Sequence, residues 1–339
     1  MCRIIFLVLV SLTVGLANAG EYEEGQAAYQ NEKYEVAAKI FTKLAKEGDA
    51  KAQNDLGFMY QQGLGVERDY EIALDLYILA GRQGHILAYV NLAVLYDEGL
   101  GVDPDFAKAF NLYTLAAKDG NAVAQNNLGR MYSKGRGVEV DQNLAFQWYK
   151  LASENGSVKG QINLAEYYLY GKGTAKNIDM AVHWIETAAR TGDPLAVYSV
   201  GVLHSQGVGY PINHEKAFKF FEISAKQGFL EAQNNVGFAY IQSKGVEKDY
   251  ERALYWLSKA AQRGHPTSAV NLGTLYAFGY GVQVDKVKAH MWYTLASEWG
   301  KNEADYELNR LKKGMSTKQI EESNLMLARC LQNGFADCG

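Results

Sequence analysis

Apolar and polar positions along this chain recur with two helical spacings inside one larger period. Tyr60, Tyr96, Tyr132, Tyr168, His204, Tyr240 and Tyr276 stand 36 residues apart. Relative to this position, small or apolar residues occupy −8, −4, −1 and 0, which is one face of a helix. A second set at +13, +16, +17, +20 and +21 marks one face of a second helix. Alanine fills +13 in every copy (Ala73, Ala109, Ala145, Ala181, Ala217, Ala253, Ala289), and aromatics gather at +16 and +17, as in Trp148-Tyr149, Phe220-Phe221 and Trp292-Tyr293. Alanine lets the two helices approach closely, while the aromatics fill the groove between layers.

The turns repeat in the same register. Glycine stands at +3 in six of the seven copies, with Ser243 in the other, and in all seven copies at +5 and at +24. A +3 glycine in the left-handed conformation ends the first helix, +5 permits a tight reversal, and +24 ends the second helix. At +6 a residue such as Val66 or Val102 plugs back into the core. Asp69, Asp105, Asp141, Asn177, Asn213, Asp249 and Asp285 at +9 are N-caps for the second helix. Five −3 positions are also glycine (Gly57, Gly129, Gly201, Gly237, Gly273), where helices come close.

One such helix pair cannot bury its apolar faces alone; stacked copies can. The expected fold is therefore all-α, a right-handed α/α superhelical solenoid of helix-turn-helix repeats. Its seven repeats cover 50–85, 86–121, 122–157, 158–193, 194–229, 230–265 and 266–301. Residues 20–49 form an N-terminal capping unit, with Ala37, Phe41, Ala45 and Gly48 in the second-helix register. Residues 302–339 form a C-terminal helical cap, in which Ser316 and Gln319 have capping-box spacing and Ile320, Leu327 and Leu331 form the apolar stripe. The two-domain prior for 339 residues gives way to one continuous array.

Composition sharpens this picture at three points. The 34 glycines and 4 prolines fit helices punctuated by glycine turns. A net charge of −4 argues against nucleic acid as a partner. Residues 1–19 carry Arg3, an apolar run from Ile4 to Leu16, and Ala17-Asn18-Ala19, the pattern of a cleaved secretory signal. After cleavage no stretch is long and apolar enough for stable membrane insertion, and the expected location is periplasmic or secreted. Cys2 leaves with the leader, and the remaining pair Cys330 and Cys338 in an exported chain is expected to form a disulfide, contributing about 2–3 kcal/mol.

The pattern A-x3-L-G-x2-Y-x2-G-x-G-V-x2-D-x3-A resembles the Sel1-like repeat family. It is anchored by Ala52-Gln53-Asn54-Asp55-Leu56-Gly57 and Ala124-Gln125-Asn126-Asn127-Leu128-Gly129. The capping unit looks closer to the related tetratricopeptide repeat. The resemblance implies an adaptor whose first helices line a concave surface that holds a protein or peptide partner. It also implies roles in the bacterial envelope or toward a host cell. A cysteine-rich branch linked to penicillin binding carries a disulfide in each repeat; none of these repeats contains cysteine, so that link is not carried over.

Candidate chemistry is sparse. Gly63-Leu64-Gly65 and its copies follow helices, not strands, so they are turns and not phosphate cradles. None of the six histidines has zinc-motif spacing to another, and Ser-x-x-Lys is missing. Glu166 and the Asp97-Glu98 pair are expected to be solvated or partner-facing. No catalytic, metal or cofactor residue is assigned, and the chain is expected not to be an enzyme; an envelope hydrolase acting on peptidoglycan or β-lactams is the alternative. The asparagines Asn91, Asn127, Asn163, Asn235 and Asn271 are expected to be scaffolding. The positions free to vary are more informative. At −2 stand Phe58, Val94, Arg130, Glu166, Val202 and Phe238, and at +2 stand Tyr170 and Phe278. Scaffolding does not dictate these types, so these eight are the candidate partner contacts, the alternative being packing against the neighbouring repeat.

Overall fold

A computed structural model describes residues 20–335 and residue 338; the expected leader, Cys2 included, lies outside them. Helices and turns account for the described residues, with no strand among them. Helix α1 (residues 20–30) and α2 (Tyr34–Lys46) form the capping unit. The seven pairs follow as α3 (Ala50–Gln62) with α4 (Tyr70–Arg82), α5 (Ile86–Glu98) with α6 (Phe106–Lys118), α7 (Ala122–Lys134) with α8 (Gln142–Glu154), and α9 (Val158–Tyr170) with α10 (Ile178–Ala189). Then come α11 (Pro194–Gln206) with α12 (His214–Lys226), α13 (Leu230–Gln242) with α14 (Tyr250–Ala261), and α15 (Pro266–Phe278) with α16 (Lys286–Glu298). Helices α17 (Asn302–Lys312) and α18 (Thr317–Gln332) close the chain.

The chain divides into two compact units, one through Lys176 and one from Asn177. Within each unit, successive helices pack on their sequence neighbours, α2 to α9 in the first and α10 to α17 in the second, the arrangement of an α-solenoid. All seven +9 residues accept a hydrogen bond from a backbone N–H in the first turn of their second helix, as the N-cap assignment requires. The +3 position is left-handed in every copy, including Ser243 at φ 57°. The +5 glycine does more than reverse the chain. A Cβ on Gly245 would overlap the His214 carbonyl at the start of the preceding repeat's second helix, and one on Gly65 would overlap the backbone of Tyr34. The loop of one repeat thus rests on the first turn of the repeat before it.

The first helices are buried on more than the expected face. Gln53, Asn54 and Gly57 are buried in α3 beside Ala52, Leu56 and Met59. The Tyr77 ring leaves no room for a Cβ on Gly57. The tyrosine at position 0 is mostly half-buried, because it lies at the seam between repeats. Phe110 packs edge-on against Tyr132 (5.5 Å, 81°), and Phe218 against Tyr240 (5.4 Å, 82°). Asparagine rungs cross the same seam: Asn91 donates to Asn54 (3.0 Å), Asn163 to Asn126 (2.8 Å) and Asn271 to Asn234 (3.3 Å). The repeat containing His204 departs from the others in two places at once. Tyr210 stands where five of the other six repeats have valine. Its ring stacks on the imidazole (4.3 Å, 24°), with Phe220 on a second ring contact (5.8 Å, 13°).

Helix α17 continues the register, with Ala304 and Leu308 buried at −8 and −4. Helix α18 does not. A short connection returns it onto α16, where it packs. The +15 and +19 columns face solvent in earlier repeats, as at Asp75 and Leu79, yet Met291 and Leu295 are both 0% exposed. The capping box at Ser316 and Gln319 is present. The apolar stripe is met at Leu327, which packs inward, but not at Leu331, which is exposed; Ser323, Met326 and Cys330 face inward beside Leu327. The Cys330–Cys338 disulfide is formed and buried, and drawing Cys330 inward turns its neighbour Leu331 to solvent.

Candidate interaction surface on the first helices

The −2 residue lies four residues before the end of the first helix, and the +4 residue lies in the turn that follows. In three repeats the contacts bring the two columns to one place, and in a fourth the +4 residue meets the +2 residue instead. Glu166 accepts from Lys172 (2.7 Å). The Lys244 ammonium lies 5.7 Å from the Phe238 ring centroid. Arg130 and Arg136 converge on one carboxylate, Asp97. Tyr280 stacks on Phe278 (5.8 Å, 23°), a +2 residue. The +4 residues were not legible as site residues, because between two fixed glycines they resemble loop filler. A repeat-by-repeat comparison of residues six apart would have shown the pairing.

The eight candidate residues fall into three groups. Val94 and Val202 are half-buried and pack against the cores of their units, so packing is their role here. Arg130 is spent on Asp97, whose side chain is 1% exposed; Arg136 pairs with the other carboxylate oxygen at 3.1 Å and lies 4.4 Å from the Phe106 ring. This corrects the expectation that Asp97 is solvated or partner-facing: two guanidinium groups compensate a carboxylate buried at the seam. Phe58, Glu166, Tyr170, Phe238 and Phe278 remain open to a partner. Tyr170 is the most exposed at 69%, with the Lys172 ammonium 5.4 Å from its ring.

Three clefts hold the remaining aromatics. In the first unit, Phe58 walls a cleft of about 190 Å³ with Gln26, Tyr29, Phe41 and Asp55. In the second, Phe238 walls one of about 200 Å³ with Ser205, His214, Phe218, Phe221, Asn235 and Lys244. Also in the second unit, Phe278 walls one of about 180 Å³, with Lys286, Tyr293, Glu307 and Arg310. The Arg310 guanidinium lies 5.4 Å from the Phe278 ring, and Lys286 donates to the Gly314 carbonyl at 2.7 Å. Each cleft therefore joins an apolar wall to a few polar groups, the composition of a recognition site.

A family model of the Sel1 repeat matches residues 50–85, 86–121, 122–157, 158–193, 194–229, 230–265 and 266–300. The chain belongs to the Sel1 repeat family. Sel1 repeat proteins are in general scaffolds that bind protein partners, and the family is generally non-catalytic. Among solved structures, this Sel1 repeat chain is similar to a protective antigen present in uropathogenic Escherichia coli strains that displays an SLR fold. The two share 32% identity with a TM-score of 0.77, over 94% of this chain and 70% of the other. It is also similar to a Sel1 repeat protein from Oxalobacter formigenes, at 29% identity and TM-score 0.64, over 71% of this chain and 96% of that one. No curated protein sequence matches it at a significant level. No helix among the described residues is long and apolar enough to cross a membrane.

Proposed function

We propose that this chain is an exported bacterial Sel1 repeat scaffold that holds protein partners along a concave face formed by its first helices. The observation that carries this reading is the trio of clefts walled by Phe58, Phe238 and Phe278. Large aromatics at these positions are not required by the repeat frame, since the equivalent columns elsewhere hold valine, arginine, glutamate and threonine at −2, and glutamine, glutamate, lysine and tyrosine at +2. Aromatic anchors in pockets are the usual centres of protein recognition. Glu166 and Tyr170 extend the same surface within the first unit. Work in the bacterial envelope or toward a host, with a periplasmic or secreted location, follows from the leader pattern of residues 1–19.

The test is capture from envelope extracts with the mature chain. A partner identified by mass spectrometry should be retained by wild type and lost from a Phe58→Ala, Phe238→Ala double variant that still melts cooperatively. Equal capture by both proteins would remove the clefts from the reading. Fractionation of cells expressing the full chain decides location: periplasmic or extracellular recovery supports export, and cytoplasmic retention with an intact leader overturns it.

A further inference from the structure

The Phe58 cleft has a feature that the repeat frame does not explain. Its base is Asp55, which occupies the column held by asparagine in five of the other six repeats. There the asparagine donates across the seam, and a carboxylate cannot. Asp55 is instead surrounded by neutral donors. Tyr22 donates its hydroxyl to Oδ2 at 2.6 Å, Gln26 donates to the same oxygen at 2.5 Å, and Asn54 donates to Oδ1 at 3.0 Å. Those donors explain how the charge is tolerated at a half-buried place, yet none of them neutralises it.

The walls suit a cation. The half-buried rings of Tyr29 and Phe58 line the cleft above the fully buried Phe41, and the Asp55 charge reaches Tyr29. Outside the cleft, Lys51 stands 5.7 Å from the ring centroid of Tyr22, the residue that donates to Asp55, so an ammonium group is already accommodated on a neighbouring ring. Residues 20–60 carry eight acidic and five basic side chains, a local excess of negative charge. A cation approaching this end is attracted before it docks.

We propose that the Asp55–Phe58 cleft is a binding site for the primary ammonium of a lysine side chain presented by a protein partner. Its stem lies along Phe58 and Tyr29 and its ammonium meets Asp55. The choice of lysine over arginine follows from the acceptor count. A carboxylate offers about four lone-pair sites, and the three donors leave about one. An ammonium is a point donor that can use a single site, whereas a guanidinium fork needs two in one plane. The space agrees: about 190 Å³ holds roughly six water-sized groups, against five heavy atoms in the lysine side chain.

This proposal rests on the scaffold reading and names the chemistry of one of its contacts. The experiment titrates the mature chain with Nα-acetyl-lysine methylamide and follows the aromatic NMR signals. Nα-acetyl-norleucine methylamide, which keeps the stem and lacks the charge, is the control, with the arginine analogue as a third arm. The expected result is saturable lysine binding in the millimolar range, with norleucine about tenfold weaker and arginine weaker than lysine. Asp55→Asn should weaken lysine by about fivefold or more, and Phe58→Leu, which keeps apolar bulk and removes the ring face, by about threefold. Phe58→Leu makes no change to the hydrogen bonds of Asp55, so it tests the site if Asp55→Asn unsettles α1. Norleucine binding equal to lysine, lysine affinity unchanged in both variants, or no saturable lysine binding each overturns the proposal. Arginine binding as tightly as lysine overturns the choice of ligand. A partner captured through Phe238 with no response to the lysine probe sinks this site and leaves the scaffold standing; the reverse outcome sinks the scaffold alone.

Discussion

The Asp55–Phe58 cleft of the first unit and the Phe238–Lys244 cleft of the second are built on equivalent columns of two different repeats, and their electrostatics are opposite. One has a carboxylate at its base among neutral donors; the other has an ammonium over its aromatic wall and His214 on its rim. The frame beneath is common to both: a −3 glycine against a ring or leucine, a +5 glycine on the preceding repeat, and an acidic N-cap. The difference teaches that frame and surface are written in separate columns. Between these two repeats the −5 and +4 residues differ in charge while the glycine and N-cap contacts of the frame stay the same.

The largest expected effect tests whether the frame is indeed common. Gly65→Ala beneath the first cleft and Gly245→Ala beneath the second should each destabilise their unit by at least about 3 kcal/mol, since both force a left-handed alanine into backbone. Urea unfolding should show the two costs within error of each other; a cost at only one would break the comparison. Gly84→Ala, which meets nothing within 4 Å, should cost about 1 kcal/mol.

Next in size is a difference between the units in acid. Burial, with a smaller contribution from Lys312, pushes His290 down to about 4, and its Nδ1 lies 2.9 Å from Ser323 Oγ beneath α18. Because the folded value lies below the unfolded 6.5, the neutral ring contributes full stability above pH 6.5. That contribution is lost as pH falls toward 4, up to about 3 kcal/mol. Burial also pushes down His204 and His265 in the second unit, against His85 in the first. Hydrogen exchange at pH 7 and pH 4.5 should show α16 and α18 losing protection before α3 and α5. His290→Gln should flatten that dependence.

A smaller effect sharpens the contrast between the clefts. Lys244→Glu places a carboxylate beside Phe238 and should give the second cleft lysine affinity within about tenfold of the first. Titration with the lysine probe, read on the Phe238 signals, checks this; no binding would show that Asp55 owes its preference to more than charge and a ring. Smallest of all, Ser243→Gly relieves a left-handed serine and should raise the stability of the second unit by about 1 kcal/mol in thermal unfolding.

What repeats was legible in the sequence, and what occurs once was not. The helix pairs, N-caps, left-handed +3 and +24 positions and C-terminal capping box all follow from residues whose local chemistry suffices. The asparagine rungs could be expected as scaffolding because seven copies reveal a column. The Asp97–Arg130–Arg136 cluster gave no such signal: its residues belong to two different repeats and join only when the two are stacked. The burial of Met291 and Leu295 was hidden for a related reason. The connection before α18 lacks the glycine loop, so the register that placed every earlier second helix does not place this one. Of the candidate contacts, the aromatic ones were found because an exposed ring is unexpected at a variable column. Asp55 and Lys244 were missed because single charges are ordinary anywhere on a surface.

The stacking of Tyr210 on His204 bears on how these repeats can be edited. A smaller ring in one column coincides with a larger side chain in another, and the two share one volume. Giving that repeat back its tyrosine at 204 alone would overcrowd the seam, and giving it valine at 210 alone would leave a void. The two positions form a single heritable block. A designer transplanting repeats, like a genome recombining them, must cut outside residues 204–210 or move both letters together.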